Sequence, residues 1–289
     1  LTSLIAGLAT TPFGAFHFQR IAPLTLLANL AAMPAVGLVV MPMALLAVVL
    51  MPFGLEPLPL AVMSRGLDWM MAVAAATADW SEGVGAVRMA PASALLLVVA
   101  GFLWLTLWRE RWRLAGIVPI LLAVPVALLA PRPDILVDES GEAVAVRADD
   151  GRYRFVGVKG HRFEVENWLR ADGDPRRTAA DSEEGVRCDQ LGCVATTGDG
   201  GVLVAVARNP AAFADDCRLA AVVVSRYRAP DGCASDATVV DKAALAAGGA
   251  HALYRLPAGD GEKPRYRVET AYPASRRPFM PPVAGAGNQ

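Results

Sequence analysis

Residues 24–50 read LTLLANLAAMPAVGLVVMPMALLAVVL, and no charged residue interrupts them. As a helix the run extends about 40 Å, at roughly 1.5 Å per residue. A bilayer's hydrocarbon core is about 30 Å thick, so the run is long enough to cross, tilted or bent. Three of its residues, Asn29, Pro34 and Pro42, are not required by lipid. An amide in hydrocarbon needs a hydrogen-bond partner. Pro34 cannot donate to the carbonyl one turn back, so a kink or unwinding is expected near residue 30. Two readings stay open. Asn29 is glue between closely packed helices, helped by the small pairs Ala28/Ala32 and Ala31/Ala35. Alternatively, broken backbone around Asn29 and Pro34 lines an aqueous path.

The apolar excess is local. The chain of 289 residues is 54% hydrophobic, above the roughly 45–50% of soluble domains. The excess sits in the first 130 residues, and the mean hydropathy is +0.38 overall. A boundary is expected at APRPD, 130–134, where two prolines end the last apolar run. A net charge of −1 gives no bulk-charge argument for a nucleic-acid surface. The chain opens with Leu1 in an apolar stretch, without a basic leader or cleavage site. It is expected to be the C-terminal part of a longer membrane protein rather than to begin with a signal peptide.

Around the central run lie further membrane segments. Residues 1–18 are apolar but broken by Pro12 and Gly14, as the end of a crossing helix or a re-entrant turn. His17 and Arg20 follow at a membrane edge. Residues 58–80 contain Arg65, Asp68, Trp69, Asp79 and Trp80. Arg65 and Asp68, three apart, can pair on one helix face. Charges are unfavourable at mid-membrane, so an interfacial helix with its Trp residues at headgroup depth is preferred. Residues 92–108 are another crossing segment, closed by WLTLWRERWR. Its Trp residues suit an aromatic belt, and Arg109, Arg111 and Arg113 mark the cytoplasmic side. Residues 114–130 return, bent at Pro119 and Pro125. With 58–80 flat, this count places Arg20 inside and the remainder of the chain outside.

The later half reads as mainly β with a few helices, a small α+β domain over 131–275. Residues 134–158 suggest a β-meander, RFEVENWLRADGD a helix stopping at Gly173, and CVATTGDGGVLVAVA a hairpin turning at GDGG. AAVVV is a buried strand, DKAALAAGG a helix, and AHALYRL and RYRVETA are closing strands. The tail, 276–289, reads as disordered. All four cysteines, Cys188, Cys193, Cys217 and Cys233, fall in this half. An even number suits two disulfides in an oxidising compartment, with 188–193 and 217–233 preferred among three connectivities. A four-thiolate zinc site and free thiols remain as rivals. GDGG lacks the Lys-Ser/Thr of a phosphate loop, and the acidic turns lack a calcium loop's ligand spacing.

The segment FHFQRIAPLTLLANLAAMPAVGLVVMP, with its ordered Pro12, Phe18, Ala28-Asn29-Leu30 and Pro34, resembles the competence domain of ComEC-type proteins. The likeness covers about residues 1–130 well and the later half weakly. It implies a polytopic inner-membrane channel that admits one strand of transforming DNA. The implied partners are single-stranded DNA, membrane lipid, other competence-machinery proteins and a second copy of the chain. Phosphates on such a path need donors, and Arg20 and Asn29 are candidates. The family's C-terminal domain often has a metallo-β-lactamase-like fold, whose metal centre needs a cluster of His and Asp. Here His161 and His251 each stand alone. The expectation is a degenerate relative of that fold, not an enzyme, with no cofactor. Rival functions are transport of another solute, a nuclease with an unrecognised site, and a structural docking module.

Overall fold

The computed structural model describes residues 2–21, 23–81, 84–176, 185–197, 203–257 and 264–272. The expected GDGG turn and the tail at 276–289 lie outside them. The chain divides into two compact units, Leu1–Leu129 with Arg170–Pro175, and Ala130–Leu169 with Arg176–Gln289.

The first unit is helical. Helix α1 spans Thr2–Phe18 without a break at Pro12 or Gly14. A single missing N–H does not end a helix whose remaining bonds are internal, and the Thr11 hydroxyl donates to the Gly7 carbonyl at 2.6 Å. Helix α2 (Thr25–Ala35) runs straight through Pro34. The expected disturbance comes later, as a π-helical turn over Val36–Val40 that leads into α3 (Met41–Leu50). There the Met41 N–H bonds the Val36 carbonyl, five residues back. The wider winding accommodates Pro42, whose ring in α-helical winding would press on the carbonyl of Leu38.

After a turn at Gly54, where φ is +68°, α4 (Pro57–Trp80) runs back along α2, the π turn and α3. A Cβ on Gly66 would sit 3.0 Å from Val40 Cγ2, so the helices meet there at close range. Further along, Trp69 Nε1 donates to the Ala31 carbonyl at 3.1 Å. Both ends of this hairpin then meet: Arg20 and Ala86 form an antiparallel bridge, with Ile21 N–H to Gly85 O at 2.8 Å and Val87 N–H to Gln19 O at 3.0 Å. Helix α4 thus runs antiparallel to the 25–53 stretch, with residues 20 and 86 brought to the same end of the hairpin. Arg65 and Asp68 do not pair; both are exposed.

Helix α5 (Ala92–Leu107) and α6 (Ile117–Leu128) form a second hairpin through a 3₁₀ turn at Arg111–Gly116. They cross where Gly101 faces Gly116; a Cβ on Gly101 would stand 2.5 Å from the Gly116 carbonyl oxygen. Such backbone contact is open only to glycine. Among the described residues, those buried in this unit are small: Ala47, Pro59, Gly66, Ala94, Gly101, Gly116 and Ala123. Most of its leucines, methionines and phenylalanines are exposed, Leu38 at 77%. Two helical stretches, Thr25–Phe53 and Arg111–Leu128, are long and apolar enough to cross a membrane, and Ala92–Leu107 is a shorter apolar helix.

The second unit holds two five-stranded sheets. The first, in the order β10-β9-β1-β2-β3, is antiparallel throughout, with β1 at Ile135–Val137, β2 at Val144–Arg147, β3 at Tyr153–Val156, β9 at His251–Arg255 and β10 at Tyr266–Thr270. The second runs β4-β5-β6-β7-β8, over Val186–Cys188, Gly192–Thr196, Leu203–Ala207, Val222–Ser225 and Thr238–Val240. Strands β4, β5 and β6 pair antiparallel, then β6, β7 and β8 pair parallel. The parallel pairs need crossovers, supplied by α8 (Phe213–Leu219) and α9 (Cys233–Asp236).

Side-chain alternation makes four layers. Ile135, Val146, Val204, Val222 and Leu253 join one core between the sheets. Helix α7 (Arg162–Asp172) lays Val165 and Leu169 on the outer face of the first sheet, against Tyr153 and Phe155. Phe213 and Cys233 of α8 and α9 cover Ala205 and Val223 on the outer face of the second. The order is therefore helix, sheet, sheet, helix. Helix α10 (Lys242–Gly248) is capped by the Asp241 carboxylate, which accepts from the Ala243 and Ala244 amides. Both cystines are formed: Cys188–Cys193 joins facing residues of β4 and β5, and Cys217–Cys233 ties α8 to α9.

Candidate functional site

In the helical unit, the three residues singled out from sequence are scattered rather than gathered. Arg20 is exposed and holds the bridge to Ala86 through its backbone. Asn29 is exposed on α2, with no hydrogen-bond partner for its amide among the described residues. Pro34 lies within α2, two residues before the widened winding. What the hairpin adds is a contact that the sequence did not announce: the Trp69 indole reaches a carbonyl of α2. Arg88, equally unannounced, donates through Nη2 to the carbonyls of Ala127 and Leu128, capping the end of α6. At the other end of α5, Trp104, Trp108 and Trp112 pack in tilted and edge-to-face contacts, with centroids 4.6–5.7 Å apart. Arg109, Arg111 and Arg113 surround this aromatic cluster in sequence.

Residues 1–112 match the competence-protein family model. The match is consistent with a ComEC-type competence protein. It takes in α1 through α5 and ends at Trp112, before α6 and the second unit. No curated protein and no solved structure matches the chain significantly.

Beyond the competence segment, the second unit has three polar places. The first is at the end of β1. Asp138, only 4% exposed, takes backbone N–H bonds from Ser140, Glu142 and Ala143. His161 stands 3.4 Å from Asp138 and 3.5 Å from Glu142, and Glu142 pairs with Arg226 at 2.6 Å. This network closes the turn after β1 onto the loop after β7. His251 is not part of it: its Nδ1 lies 2.7 Å from the Gly249 carbonyl, and burial pushes its pKa down. Among the described residues, no group of three His, Cys, Asp or Glu side chains is placed to hold a metal.

The second place is a cleft of about 240 Å³ beside Cys188–Cys193, bordered by Asp189, Asp215 and Asp216. Burial, with repulsion from Asp189 and Asp215, raises the pKa of Asp216. The three carboxylates disfavour an anion there. The third is a cavity of about 150 Å³ lined by Thr197, Tyr266, Arg147, Arg255, Asp134 and Asp149. Among the described residues, the buried hydroxyls of Thr197 and Tyr266 find no partner. Burial, reinforced by Asp134 and opposed by Arg255, pushes the Tyr266 phenol up to about 12. Its size and polar lining suit a few ordered waters.

Proposed function

We propose that this chain forms part of an inner-membrane passage for single-stranded transforming DNA, as its competence segment suggests. The observation that carries the reading is the competence match over a helical unit whose large apolar side chains face outward. Such a surface is stable in lipid and unstable in water. Four limbs are then available to cross: Thr25–Phe53, α4, α5 and α6. Arg109, Arg111 and Arg113 assign the turn between α5 and α6 to the cytoplasm. The Arg20–Ala86 bridge belongs to the opposite, outer end, so Arg20 faces outward. Helix α6 delivers the second unit to that same side, where two cystines persist.

We read the second unit as a degenerate metallo-β-lactamase-like sandwich without hydrolytic activity. Its four-layer order supports the likeness. His161 is engaged with Asp138 and Glu142, and His251 with Gly249, which leaves them apart from any shared metal centre. The protein then acts by passage and docking, with strand removal and traction left to partner proteins.

Deleting the gene tests the reading. Transformation is expected to fall at least 100-fold while labelled duplex DNA still binds the cell surface. Unchanged transformation overturns it. Purified full-length protein is expected to leave DNA intact with manganese or zinc; cleavage abolished by a chelator would make the second unit a nuclease.

A further inference from the structure

Helix α4 presents two unlike faces. Burial falls on Pro59, Met63, Gly66, Met70, Val73 and Thr77, spaced three and four apart, with Gly66 against Val39 and Val40. The opposite face carries Ser64, Arg65, Asp68, Ala72, Ala75 and Asp79, all exposed. No ion pair or hydrogen bond engages the side chains of Arg65, Asp68 or Asp79 among the described residues. Arg65 and Asp68 sit near the middle of the 24-residue helix.

We infer that this face of α4 borders a water-filled path through the membrane. The inference rests on the membrane reading above and assigns a surface within it. Three environments compete for the face. Lipid is strongly unfavourable for two charges at mid-helix. The Arg65 stem can carry its guanidinium toward a headgroup, but the short Asp68 carboxylate cannot follow. Burial against further protein desolvates both ions, which is repaid only by close, well-bonded partners. Yet these opposite charges, three residues apart and free to meet, stand separate, each suited to its own hydration. Ala72 and Ala75 continue the face with short side chains and leave room for water beside the backbone. If 25–53 crosses the membrane as proposed, the Arg20–Ala86 bridge makes α4 return across it, which carries Arg65 and Asp68 into the bilayer.

The test uses full-length protein in lipid vesicles and a membrane-impermeant cationic methanethiosulfonate reagent. The four native cysteines are paired in cystines and leave a silent background. Single variants Ser64→Cys, Asp68→Cys and Ala72→Cys probe the face. Leu67→Cys and Ala74→Cys probe exposed positions away from it. Ser64→Cys and Ala72→Cys are near-isosteric, so folding is preserved even where a charge change is not tolerated. The expected result is labelling at 64, 68 and 72 at least 10-fold faster than at 67 and 74. Equal, rapid labelling of all five means that α4 is outside lipid, and both the membrane reading and the inference fall. Silence at all five leaves the helix embedded and overturns the water-filled path alone.

Discussion

The two units of this chain are built in opposite senses. In the second, valines, isoleucine, leucines and aromatics are interior: Ile135, Val144, Phe155, Val204 and Leu253 are fully buried. In the first, the buried positions are glycine, alanine and proline, while leucines and methionines cover the outside. Among the described residues, every exposed large hydrophobic except Phe163, Leu191, Leu219, Leu256 and Val268 lies before residue 130. The difference shows what holds each together. The β unit is stabilised by removing apolar surface from water. In lipid, as proposed, the helical unit would gain nothing of that kind between its helices; what the structure shows is close backbone approach, at Gly66 and between Gly101 and Gly116.

Truncation of large side chains gives the widest separation. Phe155→Ala should lower the stability of the β unit by about 3–5 kcal/mol in denaturant titrations of the full chain. Leu30→Ala, on the exposed side of α2, should shift the helical unit by less than about 0.5 kcal/mol in the same experiment. Comparable losses at both sites would erase the contrast. Next come the cystines. Replacing Cys217 and Cys233 with Ala should cost about 3 kcal/mol, and the same change at Cys188 and Cys193 about 2 kcal/mol, since the second pair closes a shorter loop. A larger loss at 188–193 would show that the cleft beside it depends on the bond itself.

Adding one methyl group sharpens the contrast from the other side. Gly101→Ala should cost about 1–3 kcal/mol in detergent-resistance assays, because its Cβ meets a carbonyl oxygen. A neutral result would mean that the α5–α6 crossing is loose. The smallest effect is a pH slope. Burial lowers the folded-state pKa of His251 below its ordinary 6.5. The unfolded chain therefore takes up a proton first, so stability is complete above about pH 6.5 and declines as pH falls below it. The slope is at most about 1.4 kcal/mol per pH unit. It should vanish in His251→Gln; an unchanged slope would assign it elsewhere.

Much of this was legible in the residues. Residues 24–50 announced a long apolar helix, and Gly173 and Gly249, both at positive φ, end helices α7 and α10 close to the expected places. The strands of 134–158 and the pairing of β5 with β6 followed from alternation and turn residues. Strand β4 did not, because VRC is too short to show a period. The parallel pairs β6–β7 and β7–β8 depend on contacts across 16 or more residues, which local pattern does not encode. The pairing of α4 with α2 and α3 was not legible for the same reason: it shows in contacts between residues far apart in the chain, Gly66 with Val40, Trp69 with Ala31 and Ala86 with Arg20. Arg65 and Asp68 had the spacing of an ion pair, but spacing permits such a pair without enforcing it. Asn29 and Arg20 stood out in the sequence as polar residues in an apolar setting. The contacts of Trp69 and Arg88 did not, since they are bonds to carbonyls 38 and 39 residues away.

Residues 85–88 fasten three stretches of chain at one rim of the helical unit. They pair with 19–21 on one side, and Arg88 grips the last carbonyls of α6 on the other. The turn between α5 and α6 relies on edge-on and tilted indoles and a 3₁₀ turn. The amide protons of Ile21 and Val87 should therefore exchange with solvent more slowly than those of Arg111–Gly116.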